Sequence, residues 1–581
     1  MKHFYSISTI VFLCMSFSSF SQSAAWQLKI DPVVLQKLQT ADKAEFVAIL
    51  KEQANTTTPN SFTKEEKAVY VFKKLSETAK NTQDPIRSLL KNLKVEYQPF
   101  WIINAVSIVG DKNILNQVAQ LESVSQIIEN AKYVGETTVL NTTQNIGDSQ
   151  SRGLEWGIKK TKADAVWALG YKGQGVVVAG EDTGYDWKHP AITKQYRGNG
   201  TTIDHNYNWH DCVHSGGGKC GADAKAPCDD QEHGTHTMGT MVGYDGGSNQ
   251  IGMAPDAKWI GCRNMNVNNG KFSMYMEGFE WFLAPTDLSN QNPDPSKAPH
   301  VLNNSWGCPT SEGCNSSNFP AMETAVMNLR NSGIVVVVSA GNDGSQGCSS
   351  IHDGASNLTP SFTVGNTNVS DGISASSSRG PVTNYGPVKI SPDISAPGSD
   401  IRSSIPGNGY KTMSGTSMAG PHVAGLVALI ISANPSLAGN VDKIEDIIQQ
   451  TAVKLKSSQN CGGFSGSDIP NNAFGYGRID ALAAVKMAML TVSINNTSTL
   501  ITNVVAYPNP FNEKITFEFT NCKSNSTLHI YSIAGQLIMS KTWEKPPLKY
   551  ELDMSSLPSG AYFYKLENDS DNFKGKIFKV K

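Results

Sequence analysis

The chain has 581 residues, which allows for several domains. Its formal charge is only −2 and charged residues make up 17 %, so nothing points to a nucleic-acid partner, which would call for a basic surface. The 51 glycines fit the turn-rich chains of exported enzymes. At the N-terminus, Lys2 and His3 precede an apolar run at 10–20 and then Ser19-Phe20-Ser21. A short basic region, a hydrophobic core and a small-x-small site read as a signal peptide over residues 1–21. Cys14 follows Leu13 inside that core, so a lipid anchor is rejected. No later apolar stretch approaches ~20 residues, so no transmembrane segment is expected in the mature chain.

Residues 22–148 are richer in Lys and Glu and poor in Gly. Residues 45–50 alternate in part like a strand, and 64–93 carry helical spacing. A second strand-like run covers 100–109, 115–121 reads as helical and 124–128 as extended. This order suggests a small α+β unit. The polar stretch 141–152, with Gly147 and Ser149-Gln150-Ser151, reads as an exposed linker and cleavage site.

Between 149 and 490, strands and helices alternate. Strand-like runs lie at 176–179, 257–263, 301–305, 334–339 and 361–364. A small-residue helix starts at His233, another lies near 321–331, and the apolar run 423–431 reads as a buried helix. Alternation over this length implies an α/β fold with a parallel sheet and helices on both faces.

After a polar linker at 491–503, residues 504–581 carry short alternating strands at 514–519, 527–531, 536–540, 560–566 and 574–580, the pattern of a small β-sandwich. Tyr507-Pro508-Asn509-Pro510, Ile533-Ala534-Gly535, Leu557-Pro558-Ser559-Gly560 and the basic end resemble the C-terminal sorting domain of type IX secretion in Bacteroidetes. The resemblance implies export through the periplasm to the exterior or cell surface. A carbohydrate- or collagen-binding module is the alternative, but Trp543, Tyr562 and Tyr564 are few for an aromatic binding face.

Three distant segments carry the chemistry. Ser417 follows a glycine turn and opens the apolar helix, where free N–H groups favour developing negative charge. His233 lies in His233-Gly234-Thr235-His236, with His236 read as a buried structural histidine. Asp182 ends a β-branched strand in Asp182-Thr183-Gly184. Together they supply an acid, a base and a nucleophile in the order Asp, His, Ser. With Ser339-Ala340-Gly341-Asn342-Asp343-Gly344 and Gly415-Thr416-Ser417-Met418-Ala419, these motifs resemble the subtilisin-like serine peptidases (subtilases) over roughly residues 150–490. Residues 301–309 further look like the bacillopeptidase F branch.

The resemblance implies that Ser417 is the nucleophile, His233 the general base and acid, and Asp182 its orienting partner. It implies that Asn342 and the Ser417 N–H form the oxyanion hole. It also implies that Ser305, Trp306 and Gly307 face Ser339, Ala340 and Gly341 across the S1 pocket, with Trp306 narrowing or covering it. Asp353 falls near the pocket floor and could bias cleavage toward basic residues; an ordinary loop aspartate is the alternative. The unit before residue 149 looks like a subtilase inhibitory propeptide. Protein or peptide substrates are implied, and no cofactor is required. Where many subtilases carry a calcium-ligating aspartate, nine positions after the acid, this chain has Ala191, and its loop 243–249 matches the family's calcium loop poorly. Calcium is not expected there; elsewhere the sequence leaves it open.

Rival peptidase classes fit poorly. An aspartic peptidase needs two Asp-Thr-Gly or Asp-Ser-Gly carboxylates, and this chain has one. There is no His-Glu-x-x-His and no close Cys-x-x-Cys pair for zinc. Eight of the ten cysteines fall in the peptidase region; they fit export, leave 105 pairings open and favour Cys308 with Cys314 as a local bridge. The alternative functions are a catalytically silent binding protein on the same fold and a maturation peptidase with one dedicated target.

Overall fold

The computed structural model describes residues 25–59, 61–130, 132–134, 153–267, 269–307, 315–352, 354–490, 503–520, 525–532, 535–545, 547–568 and 572–580. The signal peptide, the linkers at 141–152 and 491–502, Cys308, Cys314, Asp353, Ile533 and Ala534 lie outside the described residues. Two units divide at Leu490.

The first unit opens with α1 (Pro32–Thr40), β1 (Ala44–Leu50), α2 (Lys64–Thr82), α3 (Asp84–Asn92), β2 (Tyr97–Phe100), β3 (Ala105–Gly110), α4 (Lys112–Gln120), β4 (Val124–Glu129) and β5 (Lys132–Val134). The single helical stretch expected at 64–93 is two helices, because Pro85 suits a first turn and cannot continue the preceding ladder. The strand-like run at 100–109 is likewise a hairpin, folded back at Asn104 (φ 37°). The sheet runs β2-β3-β1-β4 and is antiparallel. Both faces of β1 are covered, which explains its imperfect alternation. Phe46, Ala48 and Leu50 pack with Ile86, Leu90 and Leu115. Val47 turns the other way, into a core shared with Phe279 and Leu329 of the later helices.

The chain continues through β6 (Gly153–Leu154), α5 (Trp156–Thr161), α6 (Ala163–Ala168), β7 (Val177–Asp182), β8 (Trp209–Asp211), α7 (His233–Val242), β9 (Asn249–Gln250), β10 (Lys258–Arg263), β11 (Asn269–Lys271) and α8 (Phe272–Leu283). Next come β12 (Val301–Asn304), α9 (Phe319–Asn331), β13 (Val335–Ser339), β14 (Phe362–Thr367), β15 (Ile394–Pro397), β16 (Ile401–Ile405), β17 (Gly409–Met413), α10 (Thr416–Ala433), α11 (Val441–Thr451) and α12 (Ala481–Leu490). Seven strands form one parallel sheet in the order β15-β14-β13-β12-β7-β10-β8. Its residues alternate between two cores. Val178, Val335 and Val337 pack under α10 and α12, while Ala179, Val336 and Val338 pack under α8 and α9. Helices on both faces leave no polar side to the sheet, hence runs such as Val335-Val336-Val337-Val338.

The strand order reverses at β7, with β10 on one side and β12 on the other. Crevices at such switch points, beyond the carboxyl ends of the strands, are where α/β sheets bind ligands. Asp182 ends β7 there. The helix α10 is apolar and long enough to cross a membrane by composition, contrary to the expectation from apolar runs alone, but 89 % of its apolar window is buried. It is the central core helix.

The N-terminal sheet docks on α8 and α9. Asn130 receives the N–H of Ser273 at 2.9 Å and donates to its hydroxyl at 3.1 Å. Thr56 donates to Asn328 at 2.7 Å, and Asn328 donates to the Ile102 carbonyl at 2.6 Å. The Glu280 carboxylate accepts the backbone N–H groups of Trp101 and Ile102. β5 pairs antiparallel with β11.

The second unit comprises β18 (Asn503–Tyr507), β19 (Lys514–Thr520), β20 (Ser526–Ser532), β21 (Leu537–Trp543), β22 (Lys549–Asp553), β23 (Gly560–Asn568) and β24 (Asn572–Lys579). Two antiparallel sheets, β18-β19-β22 and β21-β20-β23-β24, share a core that includes Phe517, Phe519, Ile530 and Leu566. Asn509, from the Tyr-Pro-Asn-Pro turn, holds the last strand by accepting from the Phe578 N–H at 2.8 Å and donating to Lys576 at 3.0 Å.

Candidate active site

Asp182 and His233 meet at the carboxyl edge of the sheet. His233 Nδ1 lies 2.7 Å from Asp182 Oδ1, both residues being buried. Oδ1 also accepts the Thr183 N–H at 2.7 Å, and Oδ2 accepts from the Thr237 hydroxyl at 3.3 Å. Gly234 permits this approach: a Cβ there would sit 2.1 Å from the Gly184 carbonyl and 3.1 Å from Asp182 Cβ.

The start of α7 is held by a residue the sequence reading passed over. Asp229 Oδ1 accepts the N–H groups of Gln231 and Glu232 and the Thr183 hydroxyl, each at 2.9 Å. Its Oδ2 accepts the Thr235 N–H at 3.0 Å and hydroxyl at 2.6 Å. A buried carboxylate thus gathers the N–H groups of Gln231 and Glu232, just before α7, and of Thr235 in its first turn, and links them to the turn after Asp182. Cys228, bonded to Cys220, immediately precedes it. The cue in sequence was an Asp four residues before the histidine. Glu232 is held at φ 119°, an unusual conformation for a residue with a side chain, and His233 is the first helical residue after it. His236 is buried, with Nε2 3.1 and 3.0 Å from the carbonyls of Ile401 and Lys411, and burial pushes its pKa down to about 3.

Ser417 is the second residue of α10, whose preceding residue is Gly415. The helices α7 and α10 pack on each other and both pack on β7. Asn342 follows β13, and its side-chain carbonyl accepts the Thr416 N–H at 3.0 Å and the Thr416 hydroxyl at 3.2 Å. The amide is therefore fixed beside the N-terminus of α10.

Ser305, Trp306 and Gly307 leave β12, while Ser339 ends β13 and is followed by Ala340 and Gly341. These strands are parallel neighbours, so the two segments emerge side by side. Ser305 donates to the Ser417 carbonyl at 3.2 Å and is itself held by Asn303 at 2.9 Å. The Trp306 side chain is buried. Its ring packs against Tyr275, with centroids 3.8 Å apart, and its Nε1 donates to Glu181 at 3.2 Å. Burial raises the Glu181 carboxyl well above its usual range. Ser339 and Ala340 are buried, and Gly341 takes φ 100°.

Among the described residues, one buried trio has metal-ligand character: donor atoms of His210, Cys212 and Glu277 lie within 4.8 Å of one another. Ala191 is buried and offers no side-chain ligand, while the Asp245 carboxylate in the next loop accepts from Gly247 and Asn249. Of the cysteines, Cys220–Cys228 and Cys348–Cys461 are bonded.

Comparison with known proteins agrees with this arrangement. Residues 173–477 match the subtilase family, and residues 505–580 match the secretion system C-terminal sorting domain. Bacillopeptidase F of Bacillus subtilis (strain 168) is 34 % identical over 473 residues, 78 % of this chain but 31 % of that protein. The chain thus spans less than a third of that relative's length. Subtilisin E of the same organism is 29 % identical over 369 residues, 63 % of this chain and 80 % of its own. A thermophilic serine proteinase of Bacillus sp. (strain AK1) is 29 % identical over 378 residues, 64 % of this chain and 78 % of its own.

Proposed function

The chain belongs to the subtilase family of serine endopeptidases, and on that premise we propose that it is a secreted endopeptidase made as a zymogen. Ser417 Oγ attacks the substrate carbonyl as His233 takes its proton; His233 then protonates the leaving amine. Asp182 holds the imidazole tautomer that carries hydrogen on Nδ1 and stabilises the imidazolium that forms. The 2.7 Å Asp182–His233 contact at the sheet's switch point is the observation that carries this reading.

Asn342 Nδ2 and the Ser417 N–H stabilise the oxyanion, a side-chain donor of this kind contributing roughly 10²–10³ in kcat. Fixation of the Asn342 carbonyl by Thr416 supports that role, since it orients the amide. Substrates are proteins or peptides, their backbone lying against 305–307 and 339–341 as an added strand. The reaction as proposed needs no cofactor. The N-terminal α+β unit acts as an intramolecular inhibitor, a reading supported by its docking on α8 and α9. The C-terminal unit addresses the chain to type IX secretion, which leaves the enzyme outside the cell or on its surface.

A casein digest by the processed chain tests the proposal. Digestion abolished by phenylmethylsulfonyl fluoride and by Ser417→Ala is expected. Undiminished digestion by Ser417→Ala would refute the mechanism, and no digestion by intact processed protein would leave a binding protein on a subtilase fold.

A further inference from the structure

Cys212 and Cys262 are both buried and, unlike the bonded pairs Cys220–Cys228 and Cys348–Cys461, are free. Their sulfurs nevertheless lie 3.1 Å apart. The backbone brings them together. Cys262 is in β10, Cys212 directly follows β8, and these strands are parallel neighbours with Cys262 opposite His210. The Cys212 N–H donates to the Arg263 carbonyl at 2.9 Å, extending the ladder past the strand end. Cys212 lies two residues beyond the partner of Cys262, so the two side chains leave the same face of the sheet and their sulfurs converge although their backbones are not directly opposite.

A metal ion is the rival account, because His210 and Glu277 flank Cys212. Hydrogen bonding already accounts for those groups. Glu277 Oε1 meets His210 Nε2 at 2.8 Å, and Oε2 meets His214 Nε2 at 2.9 Å and Gln98 Nε2 at 2.8 Å. The carboxylate is satisfied without a cation. The two sulfurs meet at 3.1 Å, a distance that an S–H···S hydrogen bond between reduced thiols also fits, and the sorting domain marks a chain bound for an oxidising exterior, where such a pair is oxidised.

We propose that Cys212 and Cys262 form a further disulfide in the exported protein. One thiolate attacks a sulfur of a donor disulfide, supplied by a thiol–disulfide oxidoreductase of the exporting compartment, and gives a mixed disulfide. The second thiolate attacks the joined cysteine sulfur and expels the donor's thiolate. Two electrons and two protons leave the pair, and the donor ends as a dithiol. Burial raises both thiols, Cys262 to about 11, so oxidation belongs to the stage before α8 closes over the pair. The bond closes a loop that contains the Cys220–Cys228 bridge, Asp229 and the His233 helix. It ties down the three-residue edge strand β8 at the foot of the segment carrying the proposed base. The bond rests on the cysteine geometry and the export signal, whether or not the peptidase reading holds.

Peptide mapping tests this directly. The full chain carrying Ser417→Ala, to prevent self-digestion, is produced by export, alkylated in guanidinium without reductant, and digested with trypsin. Cys212 is the single cysteine of residues 198–219, and Cys262 that of 259–263. Those two peptides are expected to be joined, and to separate on reduction. The double variant Cys212→Ser/Cys262→Ser in that background is expected to melt roughly 5 °C lower. With Ser417 intact, the double variant should keep its kcat. Three mapping results would overturn the proposal: both cysteines alkylated without reductant, either joined to another cysteine, or both thiols freed for alkylation only by a chelator with zinc bound at one per chain. The mapping uses the unaltered pair, so it decides the matter even where the double variant fails to fold.

Discussion

The Ser305 hydroxyl donates to the main-chain carbonyl of Ser417 at 3.2 Å. In an α-helix that carbonyl would receive the N–H four residues on, but that residue is Pro421, which has none. The side chain of Ser305, just past β12, thus supplies the donor that the helix lacks, and fixes the first turn of α10 where the proposed nucleophile stands. Asn303 holds the Ser305 hydroxyl in turn.

Ser305→Ala is expected to lower kcat about 3–10-fold, the equivalent of one hydrogen bond of ~1 kcal/mol. In a Pro421→Ala background, where the helical N–H is restored, the same change should cost less. Steady-state kinetics on a chromogenic peptide across the four variants measure the coupling. Equal losses in both backgrounds would show that the two residues act independently.

Asp229 accepts five hydrogen bonds around the start of α7. Asp229→Ala leaves buried donors unpaired and is expected to cost about 2–4 kcal/mol of stability, with a fall in kcat as His233 loses its fixed position. Denaturant titration and kinetics read the two effects. Stability within ~0.5 kcal/mol of the parent would reject the role.

Burial holds His236 neutral, with its pKa lowered to about 3 from the usual 6.5. Between these values the unfolded chain binds the extra proton, so this residue's contribution is full above about pH 6.5 and is lost as pH falls toward 3. His236→Gln, which keeps a donor for the Ile401 and Lys411 carbonyls, should flatten the fall in Tm through this window. Melting curves of the Ser417→Ala chain with and without the substitution provide the comparison. Parallel curves would contradict the assignment.

Glu280 is the main acceptor that α8 offers to the N-terminal unit. Glu280→Ala strands the N–H groups of Trp101 and Ile102. Inhibition of the processed enzyme by added N-terminal unit is expected to weaken ~10–100-fold. An unchanged inhibition constant would mean that these hydrogen bonds do not hold the unit in place.

Much of this molecule was legible along the chain. The proposed acid, base and nucleophile each lie at a junction that local rules identify: a strand end before glycine, a helix start after a turn, a glycine before an apolar run. The parallel sheet followed from alternation. Less legible were the short edge strand β8, the hairpin β16–β17 and the helix α8. Nine of the twelve residues of α8 are buried, leaving little polar stripe to mark its period. The contacts of Trp306 with Tyr275 and Glu181 were not legible, because its position along the chain says nothing about which face of the sheet its ring enters.

Residue order alone determined the parallel sheet with helices on both faces and where the proposed reactive groups sit along the chain, because strand and helix signals are local and the motifs are short. Only the tertiary structure decided that Asp229 clamps the start of the His233 helix, that Ser305 answers Pro421, and that the sulfurs of Cys212 and Cys262 meet. Each of those pairings depends on how neighbouring strands are ordered and how deeply side chains are buried. Such distances arise when separate segments pack together, and no local spacing encodes them.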